Sequence, residues 1–239
     1  MTTKLTNPRV NSDLAKLEQL VPLSKIRPVW LRVGRLIDGV SDRPVADANI
    51  VFEAGQIRFV GADGKTPPRD DIAEGQDSPD VILAHCTLLP CLIEAHAHAF
   101  LEGAPIDSKQ RELYLKNSPE SMLMYARARW PKLIQCGIGA IRDAGDRHGV
   151  GLALAAERKR SRGKLATTPH IDSPGPAIYR RGRYGAFMGE PIEDYAGPAN
   201  CVAARVAAGA DRIKLLVSGI INFKEGKVTV PPQMPADEV

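Results

Sequence analysis

"LLPCLIEAHAHAF", residues 88–100, places two histidines at the end of an apolar run. Side chains alternate along a β-strand, so His96 and His98 are predicted to project from the same face as Glu94. Two imidazoles on one face can reach a single ion, with nitrogen-to-Zn²⁺ distances of about 2.0 to 2.1 Å. The alternative interpretation is a pair of polar side chains that form hydrogen bonds where a strand meets a loop.

The sequence after Pro90 alternates strand-like and helix-like segments, which is typical of parallel βα units. The predicted strands are CLIEAHAH, IGAIRDAG, LATTPHIDS and DRIKLLVSG, at residues 91–98, 138–145, 165–173 and 211–219. Two predicted helices span residues 118–137 and 149–161, a third ends with residues 200–209, and residues 221–239 are expected to form a loop. A closed (β/α)8 barrel has eight strands, so four strands make half of one.

The sequence before Pro90 contains short β-type runs separated by Gly, Asp and Pro, at residues 30–38, 48–55, 56–61 and 81–90. They predict a small β-sandwich over residues 30–89. Residues 1–29 are expected to form a loose arm and a short helix with Ser12 as its N-cap. The predicted domains are therefore the N-terminal segment 1–29, the sandwich 30–89 and the first half of a barrel, 90–239.

The composition predicts a folded globular protein and argues against a nucleic-acid partner. The chain has 239 residues, 44% of them hydrophobic, and a net charge of +4, which predicts a packed core. The basic stretches ERKRSRGK (157–164) and YRRGR (179–183) lack interleaved aromatics, so no nucleic-acid partner is expected. The first stretch is interpreted as the last turn of a helix that Gly163 terminates.

The N-terminus has no apolar signal-peptide core, and no apolar run has the length of a membrane span. We therefore expect a cytoplasmic protein without membrane contact. The four cysteines have no CxxC spacing and are expected to be buried thiols in a reduced compartment.

Lys214 lies in the middle of the fourth predicted strand. Alternation places Ile213 and Leu215 on the outer, apolar face and Lys214 on the interior face. Burial of a cation is costly, so a partner must compensate the ammonium group. One alternative is an ion pair with Glu94 or Asp143. The other is a carbamate, formed from the neutral amine and CO₂, that bridges two metal ions.

Three motifs occur in a characteristic order and spacing: LLPCLIEAHAHAF (88–100), CGIGAIRDAG (136–145) and GADRIKLLVSG (209–219). Together they resemble the amidohydrolase superfamily, and within it the dipeptidase-like and prolidase-like binuclear metal hydrolases. The resemblance covers about residues 30–239. It implies an α/β fold in which a small β-sandwich precedes the first four βα units of a (β/α)8 TIM-type barrel.

The resemblance also implies roles for single residues. His96 and His98 correspond to ligands of the more buried of two divalent metal ions, for which Zn²⁺ is expected. Lys214 corresponds to the bridging lysine that carries a CO₂-derived carbamate. Asp143 corresponds to the second-strand aspartate, to which we give no catalytic role. The chain departs from the family pattern at Cys91 and Ile220, where glycine is common.

Substrate-binding candidates follow the third and fourth predicted strands. His170 shares a parity with Asp172 on the third strand, and Ser218 faces inward at the end of the fourth. The arginines of the stretch RRGRYG are suited to bind a substrate carboxylate through bidentate hydrogen bonds. These are Arg180, Arg181 and Arg183. An equally acceptable interpretation of this stretch is a solvated basic loop, or an interface with another chain.

The family completes its site with histidines from strands 5 and 6 and an aspartate from strand 8. We therefore expect a second polypeptide to supply strands 5–8, and we assign no catalytic residue to this chain. The predicted enzyme is a hydrolase that cleaves an amide-type C–N bond of a small molecule, non-peptide or dipeptide-like, by a metal-bound hydroxide. Whether it forms a higher oligomer is left open.

Two other functions are compatible with the motifs. The chain is either a non-catalytic structural or regulatory half-barrel subunit, or a mononuclear deaminase on the same scaffold. The metal content of the complex separates the first alternative from the enzyme. The deaminase is disfavoured because it leaves Lys214 unexplained.

Overall fold

The computed structural model describes residues 8–103, 107–161, 168–222 and 224–239. The chain divides into two compact units, one that ends at Pro90 and one that begins at Cys91. In the part of the chain that is described, no helix combines the length and the apolar character needed to cross a membrane.

The first unit contains one four-stranded sheet. Its strands are β1 (Val29–Leu36), β2 (Val45–Glu53), β3 (Gln56–Gly61) and β4 (Val81–Leu88), in the spatial order β3-β2-β1-β4. Strand β4 runs parallel to β1, whereas the other neighbours are antiparallel. The described residues thus form one sheet here, and the two facing sheets of the predicted sandwich are not observed.

Helix α1 (Pro8–Leu23) explains that difference. Its Leu20 is buried in the same apolar cluster as Leu31, Val33 and Leu83 of the sheet, and Leu17 packs against that cluster. The helix therefore covers the face that a second sheet would cover in a sandwich. The helix also begins earlier than expected, so Ser12 lies inside it and is not its N-cap. Residues 1–7 of the predicted arm lie outside the described residues.

Strands β1 and β4 lose their regular register near Gly34. Val33 pairs with Leu83 and Arg35 pairs with Thr87, so three residues of β4 lie opposite Gly34 alone. A Cβ atom at Gly34 would overlap the Ala84 carbonyl oxygen. The bulge in β4 therefore requires glycine on the neighbouring strand.

The second unit begins with a parallel sheet in the order β5-β6-β7, formed by β5 (Leu92–Ala97), β6 (Ile138–Asp143) and β7 (His170–Asp172). Helices α3 (Pro119–Gln135) and α4 (Val150–Arg160) pack on it, through a cluster that contains Ile141, Ile171 and Trp130. A short helix, α2 (Ser108–Tyr114), precedes α3. This arrangement agrees with the first two predicted βα units.

Helix α3 begins as predicted, because the Ser118 side chain accepts a hydrogen bond from the Ser121 N–H at 3.2 Å. The helix continues through Pro131 to Gln135. Helix α4 ends at Arg160. The predicted terminator Gly163 and the first residues of the third predicted strand, 165–167, lie outside the described residues.

The fourth predicted strand is only partly paired. Prolines 174 and 176, which have no N–H to donate, separate β7 from a further short strand, β8 (Ala177–Tyr179). Residues 211–216 follow both pieces: the Asp211 N–H donates to the Ser173 carbonyl, and the Ile178 N–H donates to the Lys214 carbonyl. Ile178 and Leu215 form a single parallel bridge. The segment is therefore extended, but it is not a regular fourth strand of the β5-β6-β7 sheet.

The C-terminal residues, which were predicted to form a loop, include two paired strands. Strand β9 (Gly189–Pro191) pairs with β8, and helix α5 (Pro198–Ala207) follows. Strands β10 (Ile220–Asn222) and β11 (Lys227–Val230) then form an antiparallel pair, where a loop was expected. The β-branched residues of these strands favour extended pairing despite their exposure.

The cysteines also differ from expectation. Cys201 is buried and Cys86 is half-buried, but Cys91 and Cys136 are exposed. Cys91 immediately precedes the edge strand β5, and Cys136 caps the C-terminus of α3. Both lie where elements end, so neighbouring side chains do not enclose them.

Candidate functional site

His96 and His98 lie at the carboxyl end of β5. Their ring centroids are 5.8 Å apart, so the two imidazoles are neighbours. His98 Nδ1 lies 2.8 Å from the Gly145 carbonyl oxygen, which can only accept a hydrogen bond. Nδ1 therefore carries the proton, and the Nε2 lone pair of His98 is free to bind a metal ion.

The loop after β6 positions His98. Gly145 has a φ of +98°, which directs its carbonyl group at the imidazole and favours glycine there. The adjacent Asp146 is fully buried and caps α4, accepting hydrogen bonds from the Val150 and Gly151 N–H groups at 2.9 and 2.8 Å. The acceptor of His98 is thereby fixed to a helix N-terminus.

Asp143 supports the same region from the helix side of the sheet. Its carboxylate accepts the Ala99 N–H at 3.0 Å and the Ser173 hydroxyl at 2.8 Å. Gly151 of α4 leaves room for it, because a Cβ atom there would overlap Asp143 Oδ2. Burial raises the pKa of Asp143 to about 6, and the nearby Asp146 contributes in the same direction. Asp143 thus holds the backbone next to His98 and does not point at the histidines.

Strict alternation fails in the middle of β5. Glu94 pairs with Ile141 and Ala97 pairs with Asp143, so β5 has one more residue than β6 in this interval. Glu94 therefore lies beside Ile141, which packs under the helices. Strand alternation alone therefore does not decide whether Glu94 shares a face with the histidines, but Glu94 and His98 line the same cavity. The Glu94 carboxylate accepts the His96 N–H at 3.1 Å.

Lys214 lies on the opposite face from the apolar side chains of its segment. Ile213 and Leu215 pack against the cluster that contains Ile178 and Cys201, whereas Lys214 is half-buried outside it. Burial is the main cause that lowers the pKa of His98, and the charges of His96 and Lys214 lower it further. The ammonium group of Lys214 is thus close enough to act on His98. Among the described residues, no carboxylate forms an ion pair with Lys214.

The lack of a carboxylate partner among the described residues argues against one of the two alternatives for Lys214, the ion pair. An ion pair with Glu94 or Asp143 is not formed, because Glu94 bonds to the His96 backbone and Asp143 bonds to Ala99 and Ser173. The donor set beside Lys214 is two imidazoles, of which one has its Nε2 prepared for a metal ion. These residues fit a divalent metal ion at the carboxyl end of β5.

His170 lies apart from this group. It is exposed at the amino end of β7, and it lines a small cavity with Arg158 and Lys159 of α4. The histidine pair lies at the opposite, carboxyl end of β5, so the parallel sheet does not bring His170 to it. Asp172, which shares the parity of His170, forms an ion pair with Arg212.

The arginines after β8 are mostly paired. Arg180 forms ion pairs with Glu193 and Glu238, and Arg181 forms one with Asp194. The Arg183 N–H closes a turn by donating to the Arg180 carbonyl at 2.9 Å. These contacts agree with the interpretation of the stretch as a solvated basic loop. Ser218, the remaining candidate, is exposed at the end of the extended segment.

Two aromatic residues near His98 were not among the predicted site residues. The Phe187 ring centroid is 6.2 Å from that of His98 and 5.5 Å from that of Tyr184. Both aromatics line a cavity of about 510 Å³ that also contacts His98, Trp130 and Arg129. The sequence signal for these residues is the pair of aromatics in "RYGAF" (183–187). The stretch was interpreted only through its arginines.

Comparisons with known proteins bear on this arrangement. No protein-family profile and no curated protein matches the sequence. Among solved structures, a Xaa-Pro dipeptidase with methionine bound in its active site is 25% identical, with a TM-score of 0.65, and the match covers 88% of this chain and 52% of that one. The chain is therefore similar in fold to structures of the amidohydrolase superfamily. This confirms the resemblance that the three motifs indicated.

Two further solved structures share the fold of this chain. The ochratoxinase of A. niger is 19% identical with a TM-score of 0.60, and the match covers 89% of this chain and 52% of that one. Phenylurea hydrolase B is 14% identical with a TM-score of 0.60, and the match covers 87% of this chain and 50% of that one. The chain thus spans about half the length of the structures that it matches.

Proposed function

We propose that this chain is part of a metal-dependent hydrolase that cleaves an amide-type C–N bond in a small molecule. The single observation that carries the proposal is the pairing of His96 and His98, with Nε2 of His98 left free by the bond to Gly145. Lys214, which has no carboxylate partner among the described residues, supports a second metal ion bridged through a lysine carbamate.

The chain's own residues would each have a defined task. His96 and His98 would bind the more buried ion, and the Gly145 carbonyl would hold the tautomer of His98. Tyr184 and Phe187 would exclude water from one side and contact an apolar part of the substrate. The metal pair, when bound, would activate a water molecule and polarise the amide carbonyl.

A second polypeptide would complete the site. Within the described residues, β5 pairs only with β6, and its Leu92 and Ile93 are exposed. A further parallel strand beside β5 would cover these side chains and satisfy the open backbone groups. We therefore propose that the remaining barrel strands, with two histidines and the catalytic aspartate, come from another chain.

The experiment that tests the proposal replaces Lys214 in the complex of both chains. We expect Lys214→Ala to abolish hydrolysis of a panel of dipeptides, N-acyl amino acids and aryl ureas, and to lower the metal content of the hydrolase centre, which is about two ions in the parent complex. A short added carboxylate should restore part of the activity. Lys227→Ala, at an exposed position of β11, is the matched control and should retain full activity.

The variant His96→Ala/His98→Ala should lose metal, whereas His148→Ala, which removes an exposed histidine, should not. Full metal retention by the double variant would overturn the proposed site. An active, metal-loaded complex with an unmodified Lys214 would instead favour the mononuclear deaminase. A complex whose metal content is unaffected by His96→Ala/His98→Ala and by Lys214→Ala, and which is inactive, would favour the non-catalytic subunit.

A further inference from the structure

The first unit contains a second group of metal-ligating side chains. Asp13 of α1 and His85 and Cys86 of β4 have ligand atoms that all lie within 4.8 Å of one another. Asp13 is buried, and its carboxylate lies 2.7 Å from His85 Nε2. Its other close partner, the exposed Lys16, is more distant, at 3.5 Å.

The β4 bulge explains why two neighbouring residues reach one point. In a regular strand His85 and Cys86 would project from opposite faces. Both lie among the three residues that oppose Gly34, where the ladder is interrupted and side chains change direction. Cys86 then packs toward the cluster that contains Leu17 and Leu20 of α1, the helix that carries Asp13. Gly34 therefore allows the bulge that brings His85 and Cys86 together.

We infer that Asp13, His85 and Cys86 form a structural binding site for one Zn²⁺ ion that joins α1 to β4. One carboxylate oxygen, one imidazole nitrogen and one thiolate are ligands that Zn²⁺ accepts in tetrahedral sites, and water would complete the set. Binding would release the Cys86 thiol proton to solvent and move the His85 ring proton from Nε2 to Nδ1. The site is independent of the proposed hydrolase centre.

The alternative is a metal-free ion pair between Asp13 and His85, in which Cys86 has no part. Co²⁺ distinguishes the two, because only a thiolate ligand gives a sulfur-to-cobalt charge-transfer absorption. The full chain is used, co-expressed with any partner that its solubility requires. His96→Ala/His98→Ala removes the proposed hydrolase ligands, and Cys91→Ser/Cys136→Ser removes the exposed thiols.

In this background we expect one Co²⁺ per chain, a charge-transfer band, and displacement of the band by Zn²⁺. Cys86→Ser should abolish the band, and His85→Ala and Asp13→Asn should weaken Co²⁺ binding at least ~10-fold. Cys201→Ser, which alters a buried thiol of the second unit, should keep it. Circular dichroism with a chelator present checks that each variant is folded.

The absence of a charge-transfer band in the folded background protein would overturn the inference. A band that persists in Cys86→Ser would overturn it as well. His85→Ala gives an independent measurement, since His85 is exposed and its removal leaves the core intact. If the melting temperature falls equally with and without Zn²⁺ in this variant, the ion pair alone explains the cluster.

Discussion

Asp143 is a buried carboxylate in contact with the loop that holds His98, and its protonation affects stability. Burial raises its pKa from 3.8 to about 6. The folded state therefore binds this proton more tightly than the unfolded state. The stabilising contribution is complete below about pH 4 and is lost as the pH rises through about 6, by about 3 kcal/mol in total.

We predict that Asp143→Asn removes this dependence, because an amide does not titrate. The free energy of unfolding of the second unit is measured in urea between about pH 4 and pH 7. Trp130 fluorescence in a Trp30→Phe background reports the unfolding. The parent protein should lose stability over this range, and the variant should not. Asp237→Asn, at an exposed carboxylate, is the control. Equal pH slopes for Asp143→Asn and its parent would contradict the prediction.

The bulge in β4 makes the stability of the first unit sensitive to any side chain at Gly34. We predict that Gly34→Ala destabilises this unit by about 1 to 3 kcal/mol, because the new methyl group meets the Ala84 carbonyl and both strands must shift. Trp30 of β1 reports unfolding of this unit in a Trp130→Phe background. Gly103→Ala, which places a methyl group in open space in the second unit, should leave the stability of both units unchanged. An unchanged unfolding midpoint for Gly34→Ala would show that the strands adapt without cost.

The elements that the sequence predicted correctly are those with local signals. Ser118 and Pro119 mark the start of α3, and the alternation around Lys214 separates it from Ile213 and Leu215. The failures involve long-range pairing. The residue added to β5 after Glu94 is defined only by its register with β6, and a lone apolar sheet face does not reveal whether a helix or a second sheet covers it.

The candidate site was predictable to a similar degree. A single residue separates the two histidines in the sequence, so their proximity followed from strand geometry. The Gly145 carbonyl and the Phe187 ring contact His98 from other parts of the chain. A local sequence pattern cannot predict such long-range contacts. Likewise, Cys86 and Asp13 are brought together by tertiary packing, through a bulge that has no sequence signature beyond a glycine on another strand.

At the scale of the whole molecule, we predict that the chain expressed alone is insoluble or inactive. Activity should appear when a second polypeptide that carries two histidines and an aspartate is co-expressed with it, because the two chains together would form one barrel. Intact-mass measurement of the purified complex and an amidase assay check this. An active, monodisperse preparation of this chain alone would contradict it. A complex whose partner lacks those three residues would contradict it as well.

If a second polypeptide completes the barrel as proposed, the edge of β5, which is unpaired among the described residues, would also limit how far this chain can be made in excess of that partner. Leu92 is 51% exposed and Ile93 is 69% exposed along a row of open backbone groups, which is a template for pairing with any extended chain. Two newly made copies meet at a rate that grows with the square of their concentration, whereas capture by a partner in fixed supply grows only linearly. Synthesis that outruns the partner would therefore divert copies into mutual strand exchange and precipitation. Matched, simultaneous production of both polypeptides would keep the edge covered.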